Sequence, residues 1–135
     1  MSILALAATL AAQASSSPSI EGLWRSPGGS SIISIASCGS TAFCGTVAWA
    51  STKAQKDAAK TTAQLVGTQL LTNVQQASPG RWQGKLFIPD KNMRVTAKLQ
   101  PTSQGELRVS GCAAGKSLCK SVLWTRFDGP LPTSD

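Results

Sequence analysis

Residues Met93–Leu99 read MRVTAKL, and apolar and polar side chains alternate along the whole stretch. The apolar members, which share one face of an extended chain, are Met93, Val95, Ala97 and Leu99. The residues between them are charged or polar. Because successive side chains of a strand point to opposite faces, the pattern predicts a β-strand with one buried face and one face in water.

Seven further stretches are interpreted as short β segments, and turn-forming residues separate most of them. The eight segments span residues 21–26, 30–37, 45–50, 65–74, 81–88, 93–99, 106–111 and 120–127. Short strands joined by short turns are typical of an all-β sandwich or barrel. We therefore predict an all-β fold, specifically an eight-stranded antiparallel up-and-down barrel, because closure of the sheet leaves no exposed edge.

One connection is longer than the others and covers residues 51–63, STKAQKDAAKTTA. It carries three Lys residues and lacks β-branched apolar residues. We predict that it forms either a solvated excursion from the barrel or one marginal helix.

The N-terminal residues are interpreted as a targeting signal. Residues 3–12 form an apolar run that is too short to span a bilayer and is typical of a secretory signal, with a buried helix as the alternative. Small residues at Ala12 and Ala14 predict cleavage after Ala14. The expected organisation is a signal peptide at 1–14, a flexible tether at 15–19, one barrel domain at 20–128 and a loose tail at 129–135. We expect a periplasmic or secreted protein with no transmembrane segment.

The composition excludes several kinds of catalytic site. The 135 residues carry 13 Lys+Arg against 6 Asp+Glu, a net charge of +7, and contain no His. Without His, neither a Ser-His-Asp triad, a Cys-His dyad nor a His-ligated zinc site can form. The candidate acids are Asp57, Asp90, Glu106 and Asp128. None of them lies at a sequence spacing from a basic residue that would indicate a catalytic acid–base pair. We therefore expect no catalytic activity, no cofactor and no metal.

An even number of cysteines in an exported chain predicts disulfides. Five residues separate Cys38 from Cys44, and six separate Cys112 from Cys119, wider than the usual spacing of paired zinc ligands or of a redox Cys-x-x-Cys pair. In a meander the two loops lie at opposite ends of the barrel, roughly 17–20 Å apart, whereas bridged Cα atoms lie within about 7 Å. We predict the local pairs Cys38–Cys44 and Cys112–Cys119.

A third motif joins the two ends of the domain. Gly22 and Trp24 lie in the first predicted strand, and Arg126 lies in the last. In a closed barrel these strands are neighbours, so we predict that Arg126 stacks on Trp24 and closes the barrel. The alternative is a core tryptophan and an unrelated surface arginine; in either case the role is structural.

The order of these motifs resembles known families. A Gly22-Leu23-Trp24 motif with a late arginine is similar to lipocalins and related calycin barrels. The glycine-flanked cysteines, Trp49 and the ending Trp124-Thr125-Arg126 look more specifically like the bacterial exported family known as domain of unknown function 2147, over roughly residues 20–128. The resemblance implies a small lipocalin-like barrel, periplasmic or extracellular, without an established biochemical activity.

The chain departs from this family pattern at two places. Family members usually carry an Asp followed shortly by Asn-Pro in the long connection, and here only Asp57 is kept. After Pro89-Asp90 the usual Gly is replaced by Asn92. Functions that depend on the long connection are therefore not carried over from the resemblance.

The first functional hypothesis is that a small, partly apolar ligand binds in the barrel mouth. Trp49 and Trp82 are the residues expected to line it, and the alternative is that both fill the core.

The second hypothesis is a basic interaction module for anionic components of the cell envelope. The cations expected in loops and on outward positions are Lys53, Lys56, Lys60, Lys85, Lys91, Arg94, Lys98, Arg108, Lys116 and Lys120. The alternative is that they serve solubility only. Nucleic acid is not an expected partner, because no helix-turn-helix, zinc finger or Lys/Arg run is present. We expect a monomer.

Overall fold

The structure is a computed structural model that describes residues 19–89, 91–113 and 118–132. Along most of these residues, apolar and polar side chains alternate and the chain forms strands. The predicted signal peptide, tether residues 15–18 and the last three residues of the tail lie outside this described part, as do Asp90 and Lys116. The strands are β1 Gly22–Arg25, β2 Ser31–Ser37, β3 Phe43–Ala50, β4 Gln69–Ser78, β5 Arg81–Ile88, β6 Met93–Pro101, β7 Glu106–Ala113 and β8 Leu118–Arg126.

The strands form a closed antiparallel barrel in chain order, with β1 hydrogen-bonded to both β2 and β8. The predicted eight-stranded up-and-down barrel is therefore confirmed. The ladder that joins the first and last strands is short, because β1 pairs with β8 only through Trp24 opposite Arg126 and Arg25 opposite Thr125. No helix in the described ranges has the length and apolar character needed to cross a lipid bilayer.

The barrel has two distinct ends. One, called the Arg126 end, carries the N-terminal residues 19–21, the β2–β3 connection, and the end of β8. The other, called the α1 end, carries the β3–β4 and β5–β6 connections and the start of β8. The two ends differ in how they are covered, and this difference places the candidate site.

The long connection contains a helix, α1, at Thr52–Ala58. The side chain of Ser51 caps it by accepting a hydrogen bond from the Ala54 N–H at 3.1 Å. Of the two alternatives for residues 51–63, the helix is present, and it is not fully solvated because Ala58 is buried. The next strand starts at Gln69 rather than at 65, since the chain turns at Gly67, which has φ +94°.

The interior is filled by side chains from all strands except β5, and from the long connection; β5 contributes Trp82, Leu86 and Phe87, which are partly buried against this core. The buried core cluster consists of Ile20, Trp24, Ile33, Ile35, Val47, Ala50, Ala58, Leu65, Leu70, Leu71, Val74, Ala97, Leu99, Leu107, Val109 and Trp124. Trp24 and Trp124 are 1% and 5% exposed, and both lie toward the Arg126 end. Large aromatic side chains therefore occupy the barrel at that end.

Both predicted disulfides are present, and each staples one connection. Cys38 and Cys44 close the β2–β3 connection with their Cα atoms 5.7 Å apart. Cys112 and Cys119 face each other across β7 and β8 with their Cα atoms 4.0 Å apart. The two bridges lie at opposite ends of the barrel, as the strand count predicted.

Gly84 permits the close approach of β5 and β4. A Cβ atom at this position would lie 2.8 Å from the Thr72 carbonyl oxygen and 2.9 Å from the Val74 Cα atom. Both obstacles are backbone atoms, which cannot rotate away. The register of β4 against β5 shifts between Thr72 and Gln75, where Asn73 has φ +52°.

We expect Gly84→Ala to lower the free energy of unfolding by about 2–3 kcal/mol, because the added methyl group forces the two strands apart. Gly39→Ala is the matched control, since its Cβ atom would meet only the Ala42 Cβ atom at 4.0 Å. Urea denaturation of the oxidised protein measures both changes. Equal stability of the two variants would contradict the proposed tight contact.

Candidate functional site

At the Arg126 end, the Arg126 guanidinium stacks on the ring of Trp24 and closes the barrel. The Arg126 guanidinium carbon lies 3.9 Å from the centroid of the Trp24 ring. The same guanidinium donates hydrogen bonds to the carbonyl oxygens of Glu21, at 2.5 Å, and Ser19, at 3.1 Å. The Trp24 indole N–H donates to the Ile20 carbonyl oxygen at 2.9 Å. Residues 19–21 are thus fastened across this end of the barrel.

Gly22 is part of the same closure. Its φ of +125° is unfavourable for any residue with a side chain, and a Cβ atom there would collide with the Arg126 guanidinium. The predicted roles of Gly22, Trp24 and Arg126 therefore correspond to one packed unit. Because Ile20 is fully buried beneath it, the unit fills the barrel interior around Trp24 at this end.

The α1 end instead contains a cavity of about 270 Å³, called the mouth cavity. It lies between β2, β3, helix α1 and the β5–β6 connection. The side chains that line it are Ser30, Ser31, Val47, Ala54, Asp57, Ala58, Leu65, Leu70 and Pro89. Six of these nine residues are apolar, and the three polar ones are an Asp and two Ser.

Several hydrogen bonds hold α1 and the following residues against the barrel. The Ser51 N–H donates to the Ser30 carbonyl oxygen at 2.8 Å. The Gln55 side chain donates to the Ala50 carbonyl oxygen at 3.1 Å. The hydroxyl groups of Thr61 and Thr62 both donate to the Pro89 carbonyl oxygen. The mouth cavity is therefore bounded by a connection that is tied to β2, β3 and the β5–β6 connection.

The rim of the mouth cavity carries one ion pair. The Lys53 Nζ atom lies 2.8 Å from the Asp57 carboxylate, one helical turn along α1. The hydrogen bond and the negative charge of Asp57 raise the pKa of Lys53 above its usual value. Both side chains are largely exposed, so the pair contributes little to stability. It does give the rim both a cation and an anion.

The structure places neither Trp49 nor Trp82 at the mouth cavity. Trp82 is the second residue of β5 and lies at the Arg126 end, where its ring packs edge-on against Phe43 with centroids 5.3 Å apart. Trp49 pairs with Ile32, which in turn pairs with the exposed Arg25. Cross-strand partners share a face, so Trp49 lies on the outer face of the sheet.

The residues that do line the mouth cavity were missed at the sequence level. Leu65 was assigned to a strand, and Ala54, Asp57 and Ala58 to a solvated excursion or marginal helix. The one signal in this connection was the series Ala54, Ala58 and Leu65, whose spacings of four and seven residues give a single apolar face if the chain is helical.

The candidate acids do not assemble into a common site. Asp57 lies at the α1 end, whereas Glu106 and Asp128 lie near the Arg126 end and Asp90 lies outside the described residues. Over the described ranges, no three His, Cys, Asp or Glu side chains are grouped so that they could hold a metal ion. The mouth cavity is therefore taken as the candidate site.

We expect Arg126→Gln to lower the free energy of unfolding by about 2 kcal/mol, because it removes the ring contact and two charge-assisted hydrogen bonds. Arg94→Gln is the control, since Arg94 lies 5.0 Å from the Phe87 centroid on the exposed outer face. That change should cost about 0.5 kcal/mol. Chemical denaturation followed by tryptophan fluorescence measures both, and an equal loss in the two variants would contradict the closing role of Arg126.

Comparison with known proteins agrees with this architecture. Residues 22–126 match the family model described as "Uncharacterized protein conserved in bacteria (DUF2147)". Among solved structures, protein HP1028 from Helicobacter pylori, described as belonging to the lipocalin family, is similar with a TM-score of 0.62. The similarity covers 82% of this chain and 84% of that chain at 12% sequence identity, and it therefore shows the fold alone.

No curated protein matches the chain. The two disulfides and the bacterial family are compatible with an exported protein. The family match extends from β1 to β8 and thus includes the whole barrel. The chain belongs to the DUF2147 family, and its fold is a lipocalin-like β-barrel.

Proposed function

We propose that the protein is a non-catalytic binding protein that takes a small, partly apolar ligand into the mouth cavity. The observation that carries the proposal is the cavity of about 270 Å³ with a mainly apolar lining at the α1 end. Ligand pockets in proteins usually occupy about 300–1,000 Å³, and this cavity lies just below that range, so its ligand must be small.

The closed Arg126 end supports this position for the ligand. Ile20, Trp24 and Arg126 occupy that end, and Leu71, Val74 and the other core side chains fill the middle of the barrel. Eight-stranded barrels leave room for one small ligand at most. In this chain that room lies near Val47 and Leu70, below helix α1.

The lining also constrains the chemistry of the ligand. Val47, Leu65 and Leu70 offer apolar contacts to the body of a bound molecule. Ser30, Ser31 and Asp57 offer hydrogen-bonding groups to one polar end. The ligand class proposed is therefore a small amphiphile with a single polar end.

The proposed setting is the periplasm or the outside of the cell. Disulfides persist in oxidising compartments, and all four cysteines of this chain are paired. The apolar N-terminal residues 3–12, which lie outside the described part, support export as a sequence feature.

We expect the neutral fluorophore N-phenyl-1-naphthylamine to bind the oxidised protein with increased emission, and Ala54→Phe to weaken this binding about tenfold by filling the mouth cavity. Ala59→Phe is the matched control, because Ala59 directly follows α1, is exposed and does not line the cavity. Fluorescence titration measures both affinities. Absence of binding, or the same affinity in the Ala54→Phe variant, would contradict the proposed site.

A further inference from the structure

A second concave surface lies on β4–β7, away from the mouth cavity; most of its lining belongs to the outer face, and at the Arg126 end it reaches Trp82 and the core residue Leu99. It consists of two adjoining hollows of about 230 and 360 Å³, which share Ala77 and Gln83. We call it the outer groove. The cations that line it are Arg81, Lys85, Lys98 and Arg108. The rest of its lining is mainly amide and hydroxyl side chains, with Ala77, Gly84, Trp82 and Leu99 as the remaining members.

The strand register arranges three of these cations in a line. Lys85 faces Thr96 across β5 and β6, Lys98 pairs with both Gln83 and Ser110, and Arg108 pairs with Gln100. On this face of the sheet, Lys98 therefore lies one side-chain position beyond the residue opposite Lys85. Arg108 lies one side-chain position beyond the residue opposite Lys98. Diagonal neighbours of this kind lie about 7–8 Å apart, so the three charges form a diagonal across three strands.

These charges have no protein counter-ion in the part of the chain that the structure describes. There the ion pair present is Lys53 with Asp57, at the other site. No carboxylate lines the outer groove. The acidic residue on the same face of β7 is Glu106, two positions before Arg108, and it lies outside the groove lining. The outer groove therefore presents uncompensated positive charge to the solvent.

The groups between the cations are suited to hydroxyl-rich partners. Gln83 and Ser110 flank Lys98 on its own rung, and Gln100 flanks Arg108. Amide side chains both donate and accept hydrogen bonds, as sugar hydroxyls do. The Lys85 ammonium already donates to the Thr96 hydroxyl at 3.0 Å, which keeps its charge on the groove surface.

The same surface is poorly suited to nucleic acid or to a membrane. Non-specific binding of single strands relies on exposed aromatic rings for base stacking. The aromatic residue at the groove is Trp82, and its half-buried ring is already packed against Phe43. The large exposed apolar residues of the described chain, Met93, Val122, Leu123 and Leu131, lie outside the groove lining.

We propose that the outer groove binds a linear anionic polysaccharide. Lys85, Lys98 and Arg108 pair with successive carboxylate, sulfate or phosphate groups, and the intervening amides and hydroxyls bind the sugars. The site is separate from the mouth cavity and shares no lining residue with it.

The test is the binding of polygalacturonate to the oxidised full chain at about 0.05 M salt, where charge interactions are only weakly screened. The groove variant is Lys98→Gln with Arg108→Gln. The matched control is Lys56→Gln with Lys60→Gln, which removes the same charge from exposed positions in and just after α1. We expect about tenfold weaker binding for the groove variant and less than about twofold for the control. Near-UV circular dichroism verifies that both variants are folded.

Equal losses in the two double variants would show that net charge alone attracts the polymer and would overturn the proposal. Absence of binding by the native protein would overturn it as well. Neutral dextran should not bind, and a stronger affinity for oligothymidylate or for phosphatidylglycerol vesicles than for polygalacturonate would reject the assignment to polysaccharide. Ala54→Phe should leave polygalacturonate binding unchanged. The experiment therefore tests this proposal independently of the proposal for the mouth cavity.

Discussion

The stack of Arg126 on Trp24 is the interaction on which the closed barrel depends. Strand β1 has four residues and meets β8 at only two paired positions, so few backbone hydrogen bonds hold the first and last strands together. The guanidinium compensates by contacting the Trp24 ring and two carbonyl groups of the preceding residues at the same time. Gly22 is required because any side chain there would occupy the position of the guanidinium.

This closure determines where ligands can approach. One end of the barrel is filled by two tryptophans and the fastened residues 19–21, and the proposed ligand site lies at the α1 end. The groove on β4–β7 is independent of closure and carries four cations, Arg81, Lys85, Lys98 and Arg108. The molecule thus has two candidate surfaces that differ in charge, since six of the nine residues of the mouth cavity are apolar and none is a cation.

The sequence could predict the features that depend on local periodicity and on topology. The alternation of apolar and polar residues in 93–99 predicts strand β6. The number of strands between the two cysteine loops places those loops at opposite ends of the barrel, and this predicts the two local disulfides. The mouth cavity could not be predicted, because Ala58 and Leu65 belong to a connection that lacks the alternating pattern of a strand. They are buried by the packing of this connection against the barrel. Trp49 could not be assigned to a face, because the register shifts between Ile32 and Ile33, and such an irregularity moves a side chain to the other side of a sheet.

The sequence separations of the covalent and non-covalent contacts have a consequence for assembly. The bridged cysteines are six and seven positions apart, so each thiol meets its partner as soon as one hairpin has formed. Arg126 and the Glu21 carbonyl it contacts are 105 positions apart, so this contact closes a far longer loop of chain. The two kinds of contact therefore constrain different amounts of the chain: each disulfide restricts a single hairpin, whereas the contact of Arg126 restricts almost the whole domain at once.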